Sequence, residues 1–120
     1  MFPHLKGIEF DWFAIDGESN SANFATAEEG FLPSAVAENH EDHRLISDSL
    51  GSPRLETPEV SKDHADIGFY VFDWALPGGP YEKRESANGP LNTKLKAKVM
   101  AMAKLPKFTG SFVNFETVAR

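Results

Sequence analysis

One stretch constrains the fold more than any other: Ile67-Gly68-Phe69-Tyr70-Val71-Phe72-Asp73-Trp74. Apolar and aromatic side chains follow one another almost without interruption, so neither face of the extended chain is polar. Aromatic and β-branched residues fit a pleated surface. A short apolar run bounded by turn residues, here Leu76-Pro77-Gly78-Gly79-Pro80, reads as a strand rather than a helix. The pattern predicts a central strand of an antiparallel sheet, buried on both faces. Trp12 and Trp74 are both expected inside. Asp73, the one acid of the run, then needs a partner such as a backbone N–H or Arg84.

The other elements arrange themselves around this strand. Glu9–Asp16 carries apolar groups on both faces and predicts a first strand. Asp16-Gly17-Glu18-Ser19-Asn20 is turn chemistry, where Gly17 tolerates positive φ, and Asn23–Ala27 returns as a hairpin. Pro33-Ser34 opens a helix predicted to run to Leu50, where Gly51 and Pro53 stop it. Residues 51–66 hold three turn signals and read as a loop with room for one short helical turn. Tyr81–Ser86 is a more exposed strand. Asn92 or Thr93 starts a second helix, with Leu95, Val99 and Met102 on one stripe, ending near Leu105-Pro106. Phe108–Val118 reads as a final strand. The expected fold is therefore α+β: a single-layer antiparallel sheet of about five strands with two helices packed on one face. The chain of 120 residues is expected to form one domain spanning 1–120.

Charge is unevenly spread. Residues 1–66 hold fourteen acids against four bases, net −10, and residues 67–120 hold four acids against eight bases, net +4. A total of −6 disfavours nucleic acid as a partner. The absence of cysteine excludes disulfides, thiolate catalysis and Cys-ligated metals. The N-terminus has charges and a Pro where a secretory signal would be apolar, and the longest apolar stretch is broken by Asp73, Pro77 and Pro80. A cytoplasmic protein with no membrane contact is expected.

Three constellations bear on chemistry. His40-Glu41-Asp42-His43 places two imidazoles at i, i+3 on a helix with carboxylates beside them. That is not the i, i+4 spacing of a zinc-protease helix, and half-exposed histidines on a short amphipathic helix explain it without a metal. The carboxylate pairs Asp11/Asp16 and Asp66/Asp73 are formal acid–base candidates. Asp11 and Asp16, however, point to opposite faces of a regular strand. The segment 92–107 carries Lys94, Lys96, Lys98, Lys104 and Lys107 with no acid, which fits a solvated face. No nucleophile elbow, phosphate loop or dinucleotide fingerprint occurs. No catalytic residue, cofactor or metal is expected.

Two blocks together resemble a group of small bacterial proteins. The first is Asp11-Trp12-Phe13-Ala14-Ile15-Asp16-Gly17 followed by Phe24-Ala25-Thr26-Ala27. The second is Gly68-Phe69-Tyr70-Val71-Phe72-Asp73 with Gly79-Pro80-Tyr81. Many members of that group resemble, in size and setting, immunity proteins of polymorphic toxin systems. The resemblance covers most of the chain except Val36–Asp66, and it carries no catalytic residue. It implies a cytosolic, non-catalytic inhibitor, monomeric or weakly dimeric, that binds a cognate protein toxin with a basic active-site surface. The densest acidic element, Glu38, Glu41, Asp42 and Asp48 preceded by Glu28 and Glu29, is then the expected contact surface. A metal-dependent hydrolase using His40 and His43, or a ligand-binding or scaffold module, is the alternative.

Overall fold

The computed structural model describes residues 11–25, 33–49, 58–74, 80–102 and 104–118. Its order is β1 (Asp11–Ile15), β2 (Ser21–Ala25), α1 (Ser34–Glu38), α2 (His40–Ser49), α3 (Pro58–Ile67), β3 (Tyr70–Trp74), β4 (Tyr81–Glu85), α4 (Thr93–Met100) and β5 (Thr117–Val118). The class is α+β, with one curled five-stranded sheet in sequential order β1-β2-β3-β4-β5. The aromatic run supplies its central strand.

The sheet is mixed, which corrects the expectation of a wholly antiparallel one. β1–β2, β3–β4 and β4–β5 are antiparallel, but β2 and β3 run parallel, with Ala22 opposite Tyr70 and Phe24 opposite Phe72. The described part of the connection between them holds three helices, long enough for the crossover that a parallel pair requires. Helix number is corrected too. The segment 34–49 is two helices, broken at Asn39 (φ −124°), whose side-chain amide donates to the Ala35 carbonyl. Part of the stretch read as a loop is α3.

Alternation along the strands divides the core between two faces. On one, Trp12, Ala14, Ala22, Phe24, Phe72 and Tyr81 meet Val36 of α1 and Phe112 of the C-terminal segment. On the other, Phe13, Ile15 and Val71 meet Ile46 of α2, Ala65 of α3 and Val99 of α4. Helices therefore do not sit on one face only. Three cover the second face, while α1 and an irregular aromatic segment fill the first. Residues 108–116, read as most of a strand, form turns instead, with Asn114 N–H on Ser111 O and Phe115 N–H on Phe112 O. Their rings pack on the Trp12 and Phe24 face. Trp12 is fully buried as expected; the Trp74 side chain lies outside the described residues.

The β1 flank of the sheet is tied down. Along β1, Phe13 N–H donates to His43 Nδ1 (3.0 Å) and Ile15 N–H to Pro106 O (3.0 Å), while Ile15 O accepts from Phe108 N–H (2.8 Å). These bonds satisfy part of the edge that β1 would otherwise present to another chain. From β4 the Lys83 ammonium donates to Phe112 O (3.1 Å) and Val113 O (2.9 Å), pinning the C-terminal segment.

Two turns show where backbone freedom is needed. In the β1–β2 turn the positive φ falls at Ser19 (65°), not at Gly17. Asp16 holds the turn: its Oδ1 accepts from the Glu18 and Asn20 amides at 2.8 Å, and its Oδ2 from Phe112 N–H at 2.7 Å. Burial alone would raise this carboxyl, but these bonds win and hold it below its ordinary value. The second turn is Gly68, which ends α3 with φ 121° and donates to His64 O. A Cβ there would lie 2.6 Å from backbone atoms of Leu91. Gly68→Ala is therefore expected to cost about 2 kcal/mol or more, from left-handed strain and backbone overlap together. Urea unfolding of the two proteins measures it, and an unchanged midpoint would contradict the geometry.

Candidate functional site

The acidic helix α2 turns one side to the core and the other to water. His43 and Ile46, three residues apart, are buried, whereas Glu41, Asp42, Arg44 and Leu45 are exposed. Leu45 is 62% exposed and stands one turn after Glu41 and Asp42. It is an exposed apolar side chain with charged neighbours on the outer helix face. Glu41 lies 3.5 Å from Arg44 and 3.5 Å from His40 Nε2. Glu38, on α1, is bridged to Lys104 at 3.1 Å. Part of the acidic half of the chain is thus neutralised by the lysine-rich segment. Of the other expected contact residues, Glu28 and Glu29 lie outside the described residues. Asp48 lies within α2, its side chain likewise outside the description.

The histidines of α2 do not converge on a common ligand position. His40 is half-buried, with Nδ1 at 3.1 Å from Ala37 O. His43 is fully buried, its ring parallel to that of Phe13, with centroids 6.2 Å apart. Its Nδ1 accepts the Phe13 amide, so the neutral ring carries its proton on Nε2, which has no hydrogen-bond partner. Burial drives His43 down to about 4, against a smaller upward pull from Asp42. His43 acts as the cap of the β1 edge. No group of three or more His, Asp or Glu among the described residues is arranged to hold a metal ion.

A polar cluster that sequence reasoning did not find lies under the helices, where β2 and β3 end. Register places Asp11 opposite Ala25 and Ala25 opposite Asp73, so two carboxylates flank one small residue on the same face. Asn23 Nδ2 donates to Asp11 Oδ2 (2.8 Å), and His64 Nδ1 of α3 lies 3.7 Å from the same oxygen. Burial raises Asp11, opposed by the Asn23 bond and by His64 and reinforced by Asp73. Burial lowers His64, opposed by Asp11 and Asp63. The interior thus works against the charged form of both partners, and their attraction offsets part of that cost. The pairs expected from sequence are different: Asp16 serves the hairpin turn, and exposed Asp66 accepts from Asn88 Nδ2 at 2.6 Å. The signal for the observed cluster was the hairpin register, which brings Asp11 and Asn23 to one face. His64 had no such signal while 51–66 was read as a loop.

The lysines of α4 serve as surface contacts. Lys94 and Lys98 are exposed, and Lys96 Nζ donates to Ser19 O at 3.0 Å. No helix among the described residues is long and apolar enough to cross a membrane. Comparison with protein-family models, curated proteins and solved structures gives no match for this chain.

Proposed function

We propose that the protein is a non-catalytic immunity protein that binds a cognate protein toxin and neutralises it by occluding its active site, with the outer face of α2 as the contact. The observation that carries this reading is Leu45, 62% exposed on a helix whose outer face also holds Glu41 and Asp42. Buried apolar anchors surrounded by a polar rim supply most of the affinity of protein interfaces. The acids add a second element. A toxin acting on nucleic acid or nucleotides needs a basic active site to hold phosphates, and an acidic helix matches that surface and speeds encounter. The resemblance of the two strand blocks to small bacterial immunity-like proteins points the same way. The partner is then a basic protein with an apolar socket for Leu45.

The test uses the product of a toxin-like reading frame adjacent to the gene. The double variant Glu41→Lys, Asp42→Lys changes only exposed side chains, so its melting temperature is expected to stay near that of the parent. Its association rate with the toxin is expected to fall about tenfold or more at low salt, the deficit shrinking as salt rises. Leu45→Ala is expected to act mainly on dissociation. Unchanged affinity of the charge-reversed variant at low salt would remove α2 from the interface.

A further inference from the structure

Six asparagines occur in the chain, and one of them, Asn88, is followed by glycine. An asparagine side chain reaches the next backbone nitrogen by closing a five-membered ring, and a glycine there, lacking Cβ, leaves the approach unobstructed. Asn88 and Gly89 form an exposed bend between β4 and α4. Gly89 N–H has no acceptor among the described residues, and a Cβ built on Gly89 would meet nothing within 4 Å. The Asn88 side chain is held from one side, where Nδ2 donates to Asp66 Oδ1 at 2.6 Å.

Comparable positions elsewhere are locked. Asp16-Gly17 has the same local pattern with a carboxyl group, but Asp16 is buried, its oxygens accept from the Glu18, Asn20 and Phe112 amides, and Gly17 N–H donates to Gly110 O at 3.0 Å. Asn20 and Asn23 each precede a buried residue of β2. Asn39 and Asn92 each precede the first residue of a helix, with their side chains bonded to Ala35 O and Leu95 N–H. Asn114 precedes Phe115, whose N–H donates to Phe112 O at 3.3 Å. The fold thus leaves Asn88 exposed with an unengaged nitrogen beside it.

We propose that Asn88 is a site of spontaneous deamidation in the folded protein. The Gly89 nitrogen, its proton taken by hydroxide, attacks Asn88 Cγ intramolecularly. The Cγ–Nδ2 bond breaks and the side-chain nitrogen leaves as ammonia. Water then opens the cyclic imide at either carbonyl, giving aspartate or isoaspartate. The net reaction consumes one water and releases one ammonia, with no oxidant, reductant or cofactor. The donor to Asp66 is lost, and a carboxylate takes its place, so attraction becomes like-charge repulsion. The isoaspartyl product also adds a methylene to the backbone beside the Asn88 N–H bond to Ala65 O (2.9 Å), which ties this bend to the end of α3. The site shares no residue with the outer face of α2 and stands independently of the toxin-binding reading.

The test ages the full-length chain in mildly alkaline buffer at physiological temperature, beside a synthetic peptide of residues 85–94, and follows both by mass spectrometry after trypsin. The same tryptic fragment, Glu85 to Lys94, contains Asn92 as an internal control. A gain of about 1 Da is expected within days, assigned by fragmentation to Asn88 and absent from Asn92, with part of the product labelled by isoaspartyl methyltransferase. The rate in the folded chain is expected to lie within about tenfold of the rate in the peptide. Gly89→Ala, which the open space around Gly89 admits, is expected to slow the gain about tenfold or more. Asn88→Gln is expected to abolish it. Conversion in the folded chain more than about tenfold slower than in the peptide would overturn the proposal, because the fold would then protect the site. So would a gain at Asn92 instead of Asn88, or an undiminished rate in Gly89→Ala.

Discussion

Replacing Phe24 with Ala is expected to lower the unfolding free energy by about 3–5 kcal/mol, enough to unfold a marginal domain of this size. Phe24 is fully buried on β2 and touches more of the aromatic core than any strand residue beside it. Its ring stacks on Trp12 (4.1 Å, 10°), on Phe72 (4.8 Å, 10°) and on Phe108 (5.9 Å, 10°), and meets Tyr81 edge-on at 5.3 Å. Truncation removes the transfer energy of one aromatic side chain and leaves a cavity walled by rigid rings, which cannot collapse as aliphatic side chains do. The stacked neighbours also lose geometry: Trp12 Nε1 donates to Tyr81 Oη across the same cluster, at 3.2 Å. Val113→Ala, at a side chain 53% exposed, is the matched control and is expected to change stability by no more than about 0.5 kcal/mol. Equal urea midpoints for the two variants would mean that the aromatic cluster around Phe24 does not hold the sheet together. Within the aromatic run, Phe69 packs with α2, α3 and α4, while Phe72 lies in the aromatic cluster, so Phe69→Ala is expected to cost a similar amount.

The elements legible in sequence are those whose information is local. The β1–β2 hairpin follows from Asp16-Gly17 between two apolar runs, and β3 from its unbroken aromatic pattern. α4 follows from Asn92, whose Oδ1 accepts from Leu95 N–H at 2.8 Å as an N-cap does. What was not legible depended on longer range or on one ambiguous residue. Thr57-Pro58 reads as a turn, but Pro58 is the first residue of α3, a position that favours proline because its missing N–H would have no helical partner. Losing α3 hid His64, and with it the Asp11 cluster. Side-chain alternation says which face a residue takes but nothing of strand direction, so the parallel pairing of β2 and β3 had no sequence signal. Phe108, Phe112 and Phe115 were assigned to a strand by composition; their spacing of four and three serves a turn-rich segment that lays three rings over the Trp12 and Phe24 face. At the candidate site, the exposed acids of α2 were legible because a thin apolar stripe leaves the rest of a helix to solvent. Leu45 was not, since an apolar residue beside that stripe is indistinguishable from core until the helix is docked.

Acid is expected to destabilise the fold through His43 well before its carboxylates are fully titrated. His43 is completely buried and titrates near 4 in the folded protein, against 6.5 for the ordinary imidazole taken here for the unfolded chain. Between those two values the unfolded state binds more protons than the folded state, so stability falls as pH falls. The contribution is fully present above 6.5 and is lost progressively down to about 4, amounting to about 3 kcal/mol. The structural cause is specific. Nδ1 accepts the Phe13 amide at 3.0 Å, so protonation would set two donors against each other and place a charge between Phe13 and α2. His64, also lowered by burial, acts in the same sense, whereas Asp11, raised by burial, acts in the opposite one. Asp16, held below its ordinary value, adds a separate loss at lower pH. The variant His43→Gln isolates the effect, because glutamine offers Phe13 N–H an acceptor but does not titrate. Urea unfolding between about pH 7 and about pH 4.5 is expected to show a steep decline in the parent and a much flatter one in His43→Gln. His43→Phe removes the acceptor as well as the titration. It is expected to be less stable by about 1–3 kcal/mol at neutral pH, the cost of an unpaired amide on the β1 edge, yet flat in acid. A decline of the same slope in His43→Gln as in the parent would show that the acid sensitivity originates elsewhere, and would remove His43 as the proton-sensitive cap of β1.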